Sequence, residues 1–162
     1  MEQKPLEMRL AEILQRNQNT IVTAESCTGG LLGDRITNVP GSSSYFIGGI
    51  VAYSYEAKVA ILGVSWETLN TKGAVSRETV LEMARGVRKV LGGDIAVSVS
   101  GIAGPAGGTP EKPVGTTLIG LVTPNGEWTR HFIWDGDRAT NKALSADAAL
   151  QLVIDYFEGK LT

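Results

Sequence analysis

The chain has 162 residues, 43% of them hydrophobic and 20% charged, which is typical of a soluble globular protein. Its net charge of −2 argues against a nucleic acid or an anionic membrane surface as partner, and no apolar run approaches the roughly 18 residues needed to span a bilayer. A single cysteine, Cys27, excludes an intrachain disulfide framework and, without the apolar core of a signal peptide, favours a cytoplasmic location.

The first predicted elements are a helix, a strand and a second helix. Apolar residues recur at helical spacing after Pro5, and residues 29–38 predict a helix. Between them, the apolar run of residues 20–23 is typical of a buried strand, which is predicted over residues 20–26. Ser26 lies at the turn between strand and helix, where the first N–H groups of a helix have no intrahelical partners. A well-capped helix after a strand explains the same residues, so both interpretations remain open here.

The following segments repeat the order of strand and helix. Residues 46–53 predict a strand after a polar loop, and residues 55–62 predict a short helix that ends at Gly63. Since parallel strands end at the same edge of a sheet, Lys58 in this helix should lie on the same edge as Ser26.

Lys58 has the properties of a candidate base. The positive end of a helix and partial burial both lower the pKa of a lysine, and a neutral lysine can take a proton from a serine. Glu25 and Glu56 would oppose this if they approached the amine. A solvated lysine on a helix surface is the alternative.

The second half of the chain predicts two more helices and three strands. Ser65 and Ser76 are suited to cap helices that run through Leu69 and up to Gly92. Strands are predicted at residues 95–99, 116–122 and 128–134, the last two joined in a hairpin around Pro124-Asn125-Gly126. A final helix begins near Asp137, with a predicted buried face of Leu144, Ala148, Leu152, Ile154 and Phe157.

This order of elements predicts the fold class. Helices alternate with strands early and a hairpin comes late, which indicates an α/β protein, a three-layer α/β/α sandwich with a mixed, mostly parallel sheet of about five strands. Without an internal repeat or a linker, residues 1–162 are expected to form a single domain.

The common catalytic and cofactor motifs are missing. His131 is the only histidine and lies far from any serine signature, so a structural or surface role is expected for it. One histidine, one cysteine and no clustered carboxylates predict no metal site. The dinucleotide fingerprint and the P-loop are also absent, so no cofactor is predicted. What remains is a serine nucleophile served by a lysine, Ser26 and Lys58.

Six blocks of sequence, in order and over nearly the whole chain, resemble the CinA C-terminal domain family. They are Ala24–Gly30, Pro40–Ser43, Tyr53–Lys58, Gly73–Ser76, Ser100–Pro105 and Lys112–Thr116. The resemblance implies a metal-independent Ser/Lys amidohydrolase that converts nicotinamide mononucleotide to nicotinic acid mononucleotide and ammonia in pyridine nucleotide recycling. It also implies the stand-alone form of the family, without the additional N-terminal domain of many members.

The resemblance implies a role for each of the matching residues. Ser26 is the nucleophile, Lys58 is its general base, and Tyr55, or alternatively Tyr53, orients the lysine or the substrate. Backbone N–H groups from Cys27 to Gly30 stabilise the oxyanion, so that Thr28, Gly29 and Gly30 count as substrate-binding residues.

The phosphate of the substrate requires a separate site, for which there are three candidates. They are the turn of Ser42, Ser43 and Ser44, the glycine-rich loop with Gly101, Ala103 and Gly104, and Arg138. The serines could equally form a turn after Gly41, and Arg138 could pair with Asp135 or Asp137.

Other functions and an assembly state are also open. The chain could hydrolyse another small amide by the same chemistry, or it could be a nucleotide-binding module without catalysis. The expected partner is a small-molecule nucleotide, and a homo-oligomer, with a dimer favoured, could use the late hairpin or a helix face.

Overall fold

The computed structural model describes residues 2–161, so the two ends of the predicted domain, residues 1 and 162, lie outside it. The helices are α1 Leu6–Asn17, α2 Leu31–Thr37, α3 Tyr55–Leu62, α4 Trp66–Lys72, α5 Arg77–Leu91 and α6 Arg138–Phe157. The strands are β1 Ile21–Glu25, β2 Phe46–Val51, β3 Ile95–Gly101, β4 Thr116–Thr123 and β5 Gly126–Ile133. A single turn of 3₁₀-helix occupies Ser42–Ser44.

The strands form one mixed sheet, which confirms the predicted α/β sandwich. Their order is β2-β1-β3-β4-β5. β1 pairs in parallel with β2 and β3, and β4 is antiparallel to β3 and β5, so four of the five strands run in the same direction. Residues of α1, α2 and α6 pack on one face of the sheet, and residues of α3, α4 and α5 pack on the other.

Small residues on one face of β3 allow α5 to approach the sheet closely. Ile95 and Val97 face the core under α1 and α6, whereas Ala96 packs under α5, and Ser98 donates a hydrogen bond to a carbonyl of α5. On the neighbouring strand, a Cβ added to Gly120 would lie 2.7 Å from a backbone carbonyl of α5. The alternation of large and small residues along β3 therefore sets the distance between the sheet and α5.

The predicted caps are confirmed, but the predicted buried face of α6 is partly wrong. Ser65 and Ser76 accept hydrogen bonds from the N–H groups of Thr68 and Thr79. Along α6, Leu144, Ala148 and Phe157 are only half-buried. The fully buried stripe is offset from the predicted one and contains Ala146, Ala149, Leu150 and Val153 together with Leu152 and Ile154. The reason is that α6 also contacts α1 and α2, so a wider part of its surface is covered.

The three parallel strands determine where a site can form. β1, β2 and β3 end at Glu25, Val51 and Gly101 on the same edge of the sheet. Parallel sheets commonly bind ligands at this carboxyl edge. Within residues 2–161, no helix has the length and apolar character needed to cross a membrane.

Candidate active site

Ser26 and Lys58 meet at the carboxyl edge of the sheet. The Nζ atom of Lys58 lies 2.9 Å from the Oγ atom of Ser26. It also lies 3.0 Å from the carbonyl oxygen of Ala52 and 3.2 Å from that of Tyr53. Lys58 is 1% exposed and Ser26 is 7% exposed, so the contact is shielded from bulk solvent.

The three contacts of Lys58 can be made by a protonated amine, which has three N–H donors, or by a neutral amine. Such an amine has two N–H donors and one lone pair. The carbonyls of Ala52 and Tyr53 can accept only, so they take the two N–H groups, and the lone pair is left for the hydroxyl of Ser26. Burial lowers the pKa of Lys58, which favours this neutral form. The geometry therefore suits transfer of the Ser26 proton to the lysine.

The position of Lys58 follows from the start of α3. The N–H group of Ala52 donates to the carbonyl oxygen of Glu25, which extends the pairing of β1 and β2 by one residue. The hydroxyl of Ser54 then caps α3 by accepting a hydrogen bond from Ala57, 3.1 Å away. Lys58 follows in the first turn of α3, and its side chain reaches back to the last residues before the helix.

Glu25 does not approach Lys58, contrary to one possibility raised by the sequence. Its buried carboxylate accepts a hydrogen bond from the hydroxyl of Thr28 at 2.6 Å. It also accepts from backbone N–H groups at the start of α2, those of Gly30, Leu32 and Gly33. Glu25 therefore satisfies the free donors of α2, which the sequence predicted to be available to a ligand.

The set of predicted oxyanion donors is smaller in the structure. The N–H group of Gly30 is bound to Glu25, and that of Gly29 donates to the carbonyl oxygen of Ser26. Within residues 2–161, neither the N–H group of Cys27 nor that of Thr28 donates to a backbone carbonyl. The prediction of Gly29 and Gly30 as oxyanion donors is therefore wrong, and the candidate donors are the two N–H groups that directly follow Ser26.

A cavity of about 180 Å³ opens beside the Ser26 hydroxyl. Its lining consists of Ser26, Cys27, Tyr53, Tyr55, Lys58, Ala74, Val75, Ser100, Gly101, Ala103 and Arg138. Pockets that bind drug-sized ligands measure roughly 300–1,000 Å³, so this cavity has room for a small ring but not for a whole nucleotide. A larger groove of about 290 Å³ lies between β5 and α6, but its lining contains no comparable nucleophile and base.

Arg138 and Lys142 place two cations at this site. Arg138 donates to the carbonyl oxygen of Gly104 at 2.7 Å and to the hydroxyl of Tyr53 at 3.1 Å. It does not pair with Asp135 or Asp137, so that alternative is wrong, because Asp137 instead caps α6.

The sequence analysis did not predict Lys142 as a residue of the site. Its Nζ atom would lie 3.9 Å from a Cβ added to Gly29, and its charge acts on the adjacent thiol of Cys27. Within residues 2–161 it forms no ion pair. Its position could have been predicted from its spacing. Lys142 follows Arg138 by four residues in the same helix, which places both side chains on one face.

The structure separates the other predicted site residues into two groups. Gly101 and Ala103 line the cavity, and Gly104 contacts Arg138 through its carbonyl oxygen. Ser42, Ser43 and Ser44 directly precede β2, so they lie at the amino edge of the sheet, about 20 Å away at 3.3 Å per strand residue. Their assignment as a phosphate site is wrong for a substrate bound at Ser26.

The two tyrosines differ in what they contact. Tyr53 accepts a hydrogen bond from Lys58 through its carbonyl oxygen and one from Arg138 through its hydroxyl. Tyr55 lines the cavity, with its ring 6.4 Å from that of Trp66, and has no hydrogen bond to Lys58. The contact that orients Lys58 is therefore made by the backbone of Tyr53 rather than by a tyrosine hydroxyl.

His131 lies away from this site. It is exposed on β5, three strands from β1 in the sheet order. In the part of the chain that the structure describes, no three side chains of His, Cys, Asp or Glu come together as a metal-binding group.

Cys27 should be unreactive although it lines the cavity next to Ser26. Burial raises the pKa of its thiol to about 11, so at neutral pH the thiolate is about 100-fold scarcer than for a thiol with the ordinary pKa of 9.0. We expect iodoacetamide to label the folded protein at pH 7 far more slowly than the urea-unfolded protein. As the only cysteine, Cys27 gives an unambiguous readout by mass spectrometry. Equal labelling rates in the two states would contradict the burial of this thiol.

Comparison with known proteins gives a consistent set of relatives. The model of a family described as the CinA C-terminal domain matches residues 3–157. A CinA-like protein of Chloroherpeton thalassium is 52% identical over 153 residues, which cover 92% of this chain and 36% of that protein. The chain thus spans little more than a third of the length of that relative.

Solved structures of similar proteins share the fold. A CinA superfamily protein from Klebsiella pneumoniae is 32% identical, with a TM-score of 0.92 and coverage of 95% of this chain and 96% of that one. A competence/damage-inducible protein from Agrobacterium tumefaciens is 38% identical, with a TM-score of 0.85 and coverage of 95% and 98%.

Proposed function

The chain belongs to the CinA C-terminal domain family, and on this premise we propose that it is a nicotinamide mononucleotide amidohydrolase. The proposed reaction consumes water and yields nicotinic acid mononucleotide and ammonia, without a metal or cofactor, as a step in pyridine nucleotide recycling. The observation that carries the proposal is the 2.9 Å contact between the Ser26 hydroxyl and the buried amine of Lys58. A buried lysine with a lowered pKa beside a serine is a recognised way to activate that serine.

The first half of the proposed mechanism forms an acyl-enzyme. Neutral Lys58 takes the proton of Ser26 as Oγ attacks the carboxamide carbon, and the carbonyl oxygen becomes an oxyanion. The N–H groups of Cys27 and Thr28 are available to stabilise it, and one such donor contributes roughly 2.7–4 kcal/mol in other hydrolases. The nitrogen takes up the proton that Lys58 removed from Ser26, the C–N bond breaks and ammonia leaves. In the second half, water attacks the ester with Lys58 as base, and Ser26 is released.

The size and surroundings of the cavity suit this substrate. A volume of about 180 Å³ can hold an aromatic carboxamide, with Ala74, Val75 and Tyr55 among the lining side chains. The phosphoribosyl part would then extend out of the cavity. There Arg138, which has only uncharged partners, and Lys142 could bind the phosphate through charge-assisted hydrogen bonds.

The direct test is to incubate the purified protein with nicotinamide mononucleotide and to measure ammonia and the acid product. We expect equal amounts of the two, at a rate that a chelator does not change. Ammonia from small unphosphorylated amides but not from the nucleotide would indicate an amidohydrolase with another substrate. Stabilisation by the nucleotide without turnover at any pH would indicate a binding module and would overturn the proposal.

Loss of the two cations should weaken binding of the phosphate without affecting the chemistry. A charge-assisted hydrogen bond contributes about 1.5–3 kcal/mol, so Arg138→Ala and Lys142→Ala should each raise KM for the nucleotide by about 10- to 100-fold. Activity on nicotinamide riboside, which lacks the phosphate, should change little. Lys89→Ala is the matched control, since Lys89 is an exposed cation near the carboxyl end of α5 and lines a different groove. Equal losses on nucleotide and riboside would contradict a phosphate-binding role.

A further inference from the structure

Ser100 offers a second hydroxyl group beside the nucleophile. We propose that Ser100 is a further catalytic residue, which protonates the leaving nitrogen of the substrate and is itself reprotonated by Lys58. This inference rests on the proposed amidohydrolase function and deepens it, because it assigns the general acid for breakage of the amide bond.

The register of the sheet places Ser100 opposite Ser26. β1 and β3 are parallel, with Glu25 paired to Val99, and the N–H group of Ser26 donates to the carbonyl oxygen of Val99 at 2.9 Å. The next pair along the two strands is therefore Ser26 and Ser100. Neighbouring strands are about 4.7–4.9 Å apart, so the two Cα atoms are close neighbours.

Both serine side chains project from the same face of the sheet. Side chains alternate along a strand, and Ser98, two residues before Ser100, contacts a carbonyl of α5. Ala24, two residues before Ser26, packs in the core under the same helix. Ser26 and Ser100 accordingly both line the cavity at the start of α5.

The hydroxyl of Ser100 faces the cavity and has no hydrogen-bond partner within residues 2–161. Ser100 is 1% exposed, yet it lines the cavity, and within residues 2–161 its hydroxyl takes part in no hydrogen bond. Ser98 is equally buried but donates to the carbonyl oxygen of Val80. A hydroxyl that lines the cavity without a protein partner is free to form a hydrogen bond with a substrate group there.

The contacts of Lys58 explain why a relay is useful. After it accepts the proton of Ser26, the lysine has three N–H donors, and two of them point to the carbonyl oxygens of Ala52 and Tyr53. Only the third points toward the reacting atoms, on the side of Ser26 Oγ. Oγ is by then bonded to the substrate carbon. The Ser100 hydroxyl lines the same cavity but forms no hydrogen bond with Lys58, so it has to rotate toward the lysine to carry the proton to the nitrogen.

The proposed step is balanced in atoms and charge. The C–N bond of the tetrahedral intermediate breaks as the oxyanion re-forms the carbonyl. The nitrogen receives the hydroxyl proton of Ser100, and Ser100 receives a proton from the ammonium group of Lys58. Ammonia leaves, Lys58 is neutral again, and Ser26 remains acylated. No oxidant, reductant or further reactant is required.

The test compares an amide with an ester of the same acid. The amide is nicotinamide mononucleotide, whose leaving nitrogen must be protonated. The ester is the trifluoroethyl ester of nicotinic acid mononucleotide, whose leaving group, trifluoroethoxide, departs with little need for a proton. Positioned acids contribute about 10²–10⁴-fold, so Ser100→Ala should lower kcat for the amide by about 10²-fold or more, with KM nearly unchanged. Its kcat for the ester should fall by less than about tenfold.

Two further variants separate catalysis from packing. Ser100→Thr keeps the hydroxyl and should restore most of the amide activity, and Ser98→Ala, a buried serine on the same strand face, should behave like the wild type. Equal losses on amide and ester, or a Ser100→Thr variant as inactive as Ser100→Ala, would overturn the proposal. So would full amide activity in Ser100→Ala. A wild-type protein that releases no ammonia would instead overturn the proposed function itself.

Discussion

Replacing Ser26 with alanine should reduce ammonia release from nicotinamide mononucleotide by a factor on the order of 10⁴ or more in kcat, as loss of the nucleophile does in other serine hydrolases. The reason is that Ser26 is the only hydroxyl within residues 2–161 that forms a hydrogen bond with Lys58. Cys27, the neighbouring candidate, is held as a thiol because burial raises its pKa to about 11. Steady-state kinetics with a sensitive ammonia assay measures the loss.

The Ser26→Ala variant should still fold and bind. Ser26 is buried at the end of β1, and its backbone N–H group donates to Val99 whichever side chain is present. We therefore expect nicotinic acid mononucleotide to raise the melting temperatures of the variant and of the wild type by similar amounts. A variant that binds product but keeps more than about a tenth of the activity would show that Ser26 is not the nucleophile.

Lys58→Met should be the second variant with a large effect. Methionine fills a similar volume without an amine, so the loss of the general base should lower kcat by about 10²–10⁴-fold. Lys58→Arg should be equally inactive, because a guanidinium stays protonated and offers no lone pair to Ser26. If Lys58→Arg retained wild-type activity, a role for Lys58 as a base would be contradicted.

The lowered pKa of Lys58 also predicts two effects of pH. Activity requires the neutral amine, so kcat/KM of the wild type should rise with pH through the pKa of Lys58, below the ordinary value of 10.5. Because burial lowers this pKa in the folded state, the unfolded chain binds the proton more readily, and Lys58 destabilises the protein at low pH. This destabilisation is complete below the folded pKa and disappears as pH rises to about 10.5.

Lys58→Met removes this contribution and provides the control. The free energy of unfolding of the variant minus that of the wild type should be most positive at low pH and should decrease as pH approaches 10.5. Denaturant unfolding of both proteins at a series of pH values measures it. A difference that is constant across this range would mean that the pKa of Lys58 is not lowered by folding.

The pairing of Ser26 with Lys58 could be predicted because it depends on topology. Each residue follows a strand, the two strands are parallel, and parallel strands end at one edge. The same reasoning shows why Ser42–Ser44 was misplaced as a phosphate site. These serines precede β2 instead of following it, and their polar composition does not indicate at which edge of the sheet they lie.

Other features of the site depend on side-chain and backbone directions that a local pattern does not contain. A glutamate before a helix can cap that helix or approach a neighbouring lysine, and the structure shows that Glu25 caps α2. The bond from Lys58 to the carbonyl oxygen of Tyr53 involves a backbone group that every residue carries, so sequence favours the tyrosine hydroxyls instead. Lys142 could have been found from its helical spacing to Arg138.

The partition of the acyl group between water and hydroxylamine tests the central claim most directly, namely that Ser26 carries the acyl group after ammonia has left. With increasing hydroxylamine in the assay, we predict that the wild-type protein forms the hydroxamate of the mononucleotide at the expense of the acid. Ammonia release should not fall. Ammonia accompanied only by the acid at every hydroxylamine concentration would contradict an acyl-enzyme on Ser26.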